Sequence, residues 1–103
     1  MSKIRLEGTH RAVVEGRLAL DSLMQFKRLV ESDVPHDRDL EIDLSGVQVE
    51  DSAILALLVF MTRRGHTEGV TLTFTGFDDR ISRMVTLAGI EDLINLKSGP
   101  DAC

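Results

Sequence analysis

The sequence predicts an α/β domain built on a mixed, mostly parallel sheet. Three observations carry this. Short alternating runs of apolar and polar residues, the mark of half-buried strands, are separated by longer segments with apolar residues at helical spacing. Strand and helix patterns follow one another in the order β-β-α-β-α-β-α. A strand, a helix and a second strand in the same sheet require a parallel crossover, and that unit occurs twice. The expected architecture is a four- to five-stranded sheet covered by three to four helices.

The first two strands are read at Ile4 and Leu6, alternating with Lys3 and Arg5, and at Ala12-Val13-Val14, ending at Gly16. Gly8-Thr9-His10 between them is turn chemistry, so the pair forms a hairpin. Leu20, Leu23, Met24, Phe26, Leu29 and Val30 then lie at helical spacing, with Asp21 or Ser22 as the cap. Pro35 sits in the polar loop Ser32 to Arg38. Leu40, Ile42 and Leu44 alternate with Glu41, Asp43 and Ser45 as a third strand, which Gly46 is expected to end. Val47 to Glu50 reads as a loop.

The following helix is the most apolar. Ala53, Ile54, Ala56, Leu57, Leu58, Phe60 and Met61 cover most of its circumference, which predicts a central, largely buried helix from Ser52 to Arg64. Gly65 is the expected stop, with Arg63 and Arg64 at the negative end of the helix dipole. Val70, Leu72 and Phe74 alternate with threonines as a fourth strand. Asp78 and Asp79 start a helix with Ile81, Met84, Val85 and Ala88 on its apolar face and Gly89 as its stop. Ile90, Leu93, Ile94 and Leu96 predict a last short amphipathic turn or helix. The domain is expected to span residues 1–96, with a flexible tail over 97–103.

Composition excludes several classes of function. The 103 residues are one domain's worth, and the net charge of −5 argues against nucleic acid as partner. The adjacent Lys/Arg pairs, Lys27-Arg28 and Arg63-Arg64, are no patch by themselves. One cysteine, Cys103, allows neither an internal disulfide nor a thiolate metal site, and fits a reducing compartment. Neither a signal region at Met1 to Leu6 nor a bilayer-length apolar run is visible, since Ala53 to Met61 is far too short. The expected location is the cytoplasm, without direct membrane insertion.

Little in the sequence points to catalysis. His10, His36 and His66 fall in expected turns or loops, and none shares a helix face with another. Ser52 has no evident base beside it, and no phosphate loop or nucleophile elbow is present. The acidic run Asp37, Asp39, Glu41 and Asp43 reads as a solvated face, the alternative being a docking surface for a basic partner. No catalytic residues, cofactor or metal are expected.

The segment Leu44 to Leu58 is the informative one. Asp51 stands between a polar loop and an apolar helix, the position of an N-cap. Ser52 would then open the helix, its hydroxyl at the positive end of the dipole, where a phosphate is tolerated.

Ile42-Asp43-Leu44-Ser45-Gly46-Val47, Asp51-Ser52-Ala53 and Leu55-Ala56-Leu57-Leu58 together resemble the STAS domain family. Val70 to Phe74 and Thr86 to Ile90 extend the resemblance over nearly the whole chain. It implies a STAS-like fold and a non-catalytic protein-binding module. In the anti-sigma-factor antagonist branch the serine after the aspartate is phosphorylated by an anti-sigma kinase partner, and the matching residue is Ser52. In the branch of the cytoplasmic STAS subunit of the Mla phospholipid transporter, MlaB-like in kind, a Ser or Thr at this position contacts an ABC ATPase. The resemblance therefore implies a switch at Ser52 and a partner-binding set of Glu50, Asp51, Ser52, Ala53, Ile54 and Leu55, in a monomer or weak dimer. Two positions depart from the family pattern. Ile54 replaces a common glycine, which either enlarges a hydrophobic contact or hinders a kinase's close approach, and Glu50 replaces a common apolar residue.

Overall fold

The computed structural model describes residues 2–97. Strands β1 (Lys3–Glu7), β2 (Arg11–Leu18), β3 (Leu40–Val49) and β4 (Leu72–Thr75) form one sheet in the spatial order β1-β2-β3-β4. The first pair is antiparallel and the other two are parallel. Helices α1 (Leu23–Asp33), α2 (Ala53–Glu68) and α3 (Asp79–Leu87) complete the predicted order. The element count falls at the lower end of the expected ranges.

Side-chain alternation decides which face of the sheet is covered. Ala12, Val14 and Leu18 of β2, Ile42 and Leu44 of β3, and Leu72 and Phe74 of β4 join one core with Phe26 and Val30 of α1, Ile54, Leu57, Leu58 and Met61 of α2, and Ile81 and Val85 of α3. The opposite sheet face is dressed with charge. Arg5 pairs with Glu15 at 3.2 Å, and Arg11 pairs with Glu7 at 3.1 Å and also with Glu41 and Asp43. The acidic run is thus largely committed within the fold: Asp43 is buried, and Asp39 accepts the Thr71 N–H at 2.8 Å.

Several boundaries differ from expectation. Gly16 and Gly46 do not end their strands. β2 advances two residues from Val13 to Glu15 while β3 advances three from Asp43 to Gly46, a bulge in β3. The extra residue shifts the apolar phase from Leu40, Ile42 and Leu44 to Val47 and Val49, so the supposed loop at Val47 is strand packed against the core. Gly46 is needed there because a Cβ would lie 2.8 Å from Glu15 Cγ and 3.2 Å from the Val14 carbonyl oxygen.

Helix α2 likewise runs through Gly65. Gly69, at φ 74°, is its left-handed cap, with Val70 N–H donating to the Gly65 carbonyl at 2.9 Å and Gly69 N–H to that of His66 at 3.2 Å. Those are the two bonds of a Schellman ending. Gly65 serves close packing instead, since a Cβ would meet the Val70 carbonyl oxygen at 3.1 Å. His66 is therefore helical, and it occupies the last turn where Arg63 and Arg64 were expected.

At α1 the expected cap is replaced. Ser22 makes no forward capping bond; its hydroxyl accepts the Ala19 N–H at 3.0 Å and donates to the Arg17 carbonyl at 2.9 Å. Leu20 lies outside the helix and is 69% exposed. Helix α3 matches its prediction, Asp78 accepting the Ile81 N–H at 3.0 Å. After Gly89 the chain makes a turn and then a single parallel bridge, Phe74 to Leu96, beside β4. Lys97, assigned to the tail, is tied back to the Phe74 carbonyl at 2.8 Å. The rest of the expected tail, 98–103, lies outside the described residues.

Candidate partner-binding site

The site begins at the end of β3. Gln48 and Val49 still pair with Arg17 and Leu18 of β2, and Glu50 N–H donates to the Leu18 carbonyl at 3.0 Å. The chain then turns sharply into α2. Both oxygens of Asp51 are used in that turn: Oδ1 accepts the Ala53 N–H at 2.8 Å, and Oδ2 accepts the Leu20 N–H at 3.1 Å. The first bond satisfies an orphan donor of the helix start, although the N-cap position falls on Ser52 and not, as expected, on Asp51. The second, which the sequence does not announce, fastens the β2–α1 connection to the same carboxylate.

Ser52 follows with φ −75° and ψ 4°, close to helical, and its carbonyl accepts the Leu55 N–H at 3.0 Å. Its side chain makes no capping bond and is exposed. The hydroxyl therefore stands free beside the positive end of a 16-residue helix.

The expected contact set divides. Glu50 is exposed and its carboxylate pairs with Arg17 at 3.1 Å. Leu55 is half-buried. Ala53 and Ile54 are 1% and 0% exposed, so their side chains seat the helix on the core and add no contact area outside. This corrects the expectation that Ile54 enlarges a docking surface. The surface set contracts to Glu50, Asp51, Ser52 and Leu55. Leu20 and Arg17 are further neighbours of the site, joined to Asp51 and Glu50.

Chemically, the arrangement presents a hydroxyl without activating it. Asp51 is occupied by two backbone donors. His10 Nδ1 lies 3.2 Å from the Asp39 carbonyl, and His36 Nε2 lies 2.8 Å from Arg64 Nη2, so both rings are engaged elsewhere. Among the described residues, no group of three or more His, Cys, Asp or Glu side chains is arranged to hold a metal ion. Nor is any described helix long and apolar enough to cross a membrane.

A family model described as "Mlab, STAS domain" matches residues 4–95. The chain belongs to the STAS domain family. Solved structures share the fold. RsbS of Moorella thermoacetica, in a serine-to-glutamate variant, superposes with a TM-score of 0.68 at 21% identity, over 96% of this chain and 90% of that one. An anti-sigma-factor antagonist (STAS) domain protein from Planctomyces limnophilus gives 0.69 at 18% identity, over 98% and 92%. A chain of the stressosome, described as a signal integration and transduction hub, gives 0.63 at 21%, over 95% and 89%. No curated protein matches the chain significantly by sequence. Membership in the STAS family makes the chain a regulatory module of that type.

Proposed function

We propose that this STAS domain is a non-catalytic, partner-switching module of the anti-sigma-factor antagonist type, controlled at Ser52. The observation that carries the reading is the free, exposed hydroxyl of Ser52 beside a backbone that Asp51 holds from two sides. A phosphoryl group on this oxygen would add a charge of about −1.5 to −2 at the centre of the surface and would be tolerated by the helix start. The unmodified surface binds the partner and the modified one is repelled. In this reading Glu50, Asp51 and Leu55 border the contact.

A second reading has its own support. The matching family model carries the Mla description, and the Ser52-Ala53 and Leu55 to Leu58 pattern resembles that branch. There the same helix start would hold the ATPase of an ABC phospholipid transporter. Affinity purification with the chain as bait separates the two readings. Recovery of a soluble anti-sigma kinase supports the switch, and recovery of an ABC ATPase with a permease supports the transporter subunit. Partner binding unchanged by both Ser52→Asp and Ser52→Ala would refute control at Ser52.

A further inference from the structure

One turn beyond Ser52, the outer side of α2 is apolar and open. Leu55, Ala56, Val59 and Phe60 floor a groove of about 400 Å³ between α1 and α2, and its charged lining residues are Lys27 of α1 and Arg63 of α2. Leu57, Leu58 and Met61, on the inner side of the same helix, are fully buried. Leu55, Val59 and Phe60 are half-buried, packed against that core and open to the groove.

Its two cations are not paired within the fold, which among the described residues is also true of Arg28, Arg83 and Lys97, none of which lines the groove. The protein is acidic, with net charge −5, and most of its cations are committed. Arg5, Arg11, Arg17 and Arg38 are in ion pairs, Arg64 donates to the Val34 carbonyl at 2.8 Å, and Arg80 donates to that of Val49. Lys27 and Arg63 have no carboxylate within ion-pair distance among the described residues. The Lys27 ammonium is 5.3 Å from the centre of the Phe60 ring, a cation–π contact that positions the charge over the groove floor without neutralising it. Arg63 also borders the neighbouring depressions, including one that reaches Leu93, which is 62% exposed. Carboxylates line the adjoining depressions and not the groove itself: Glu31 and Glu68 share one with Phe60 and Arg63, and Asp92 shares another with Arg63.

We infer that this groove receives an amphipathic helix of the partner protein, its apolar face on Leu55, Val59 and Phe60 and its flanking carboxylates on Lys27 and Arg63. The inference rests on the reading of Ser52 as a partner contact and names the chemistry of that partner. Leu55 to Arg63 is eight helical steps, a rise of about 12 Å, which suits roughly two turns of a docked helix. Uncommitted cations at an apolar groove favour acidic flanks and disfavour basic ones, because a like charge brought to a desolvating contact is costly.

Two helical peptides test this on the full chain, with an identical leucine face at i, i+3, i+4 and i+7 and flanks of either glutamate or lysine. In amide chemical-shift titrations the glutamate peptide is expected to perturb Leu55, Ala56, Val59, Phe60 and Lys27. It should bind at least about tenfold more tightly than the lysine peptide at low salt. Lys27→Glu combined with Arg63→Glu should reverse the preference, and both positions are polar enough at the surface for the fold to survive, which the same spectra verify. Equal binding of both peptides, no binding by either, or perturbation mapped elsewhere overturns the inference. The purified natural partner separates the two levels of the reading. If Ser52→Asp abolishes its binding and the double reversal does not, the groove is refuted and the Ser52 contact stands. If the reversal abolishes binding and Ser52→Asp does not, the groove stands and control at Ser52 fails.

Discussion

The carboxylate of Asp51 joins the start of α2 to a residue 31 positions before its own: Oδ2 accepts from Leu20 N–H and Oδ1 from Ala53 N–H. One side chain thus caps α2 and fixes the β2–α1 connection at the same time. Ser52 is displayed between these two anchored pieces of backbone.

Replacement of Asp51 should therefore cost more than a simple cap. Asp51→Ala is expected to destabilise the fold by about 1.5–3 kcal/mol, a cap loss plus an orphaned backbone donor. Asp51→Asn, which keeps one accepting oxygen, should cost less than half as much. Urea denaturation of the three proteins measures this, with an unchanged slope confirming that only stability has moved.

Ser52 should behave in the opposite way. Its hydroxyl makes no capping bond, so Ser52→Ala is expected to stay within about 0.5 kcal/mol of the parent. Ser52→Asp should be neutral or stabilising by up to about 1 kcal/mol, since it adds negative charge at the helix start. Partner affinity, measured by titration calorimetry, should be kept by the alanine variant and lost by the aspartate variant. Stability and binding would then move independently at this residue.

Two glycines with nearly the same backbone angle separate strain from crowding. Gly8 has φ 69° and open space around it, whereas a Cβ on Gly76, at φ 70°, would lie 2.3 Å from Asp43 Oδ1 and 2.8 Å from the Ser45 nitrogen. Gly8→Ala should cost about 1 kcal/mol, the left-handed penalty alone. Gly76→Ala should cost about 2–4 kcal/mol, because it also displaces the Asp43 carboxylate. Thermal melts of the two variants give the comparison directly.

Acid should reveal that same carboxylate. Burial would raise the Asp43 pKa, but the Ser45 N–H at 2.8 Å and the Arg11 guanidinium outweigh it and hold the pKa below its ordinary value of 3.8. The unfolded chain therefore binds the proton more readily than the folded one. The stabilisation is complete above about pH 4 and disappears as the pH falls through the lowered folded value. Asp43→Asn should lower the urea midpoint at neutral pH and flatten its decline between pH 4 and pH 2. An equal decline in both proteins would assign the acid sensitivity to other carboxylates.

The fold was legible wherever local chemistry and tertiary packing agree. The alternation at Leu40, Ile42 and Leu44, the cap at Asp78 and the stop at Gly89 all rest on contacts within a few residues. What escaped notice depends on distant partners. Gly46 and Gly65 read as stops because their lack of a side chain is visible in the sequence, while the Glu15 and Val70 atoms that demand it are not. The change of apolar phase at the β3 bulge looks like the end of a strand unless the register with β2 is known. At the site, Asp51 and Ser52 stand out in sequence, but nothing local shows that Ile54 turns inward or that Leu20 is clasped from across the chain.

The continuation of β3 to Val49 bears on how a signal leaves this molecule. Arg80 holds the Val49 carbonyl, Leu18 holds Glu50, and Asp51 holds both Leu20 and Ala53. A mount fastened at so many points has little freedom to rearrange when one hydroxyl gains or loses a charge. Free and modified forms of the domain should therefore superimpose, differing in the electrostatic potential they show and not in shape. Under the proposed control at Ser52 the domain would act as a fixed label, and whatever moves in response would belong to the protein that reads it.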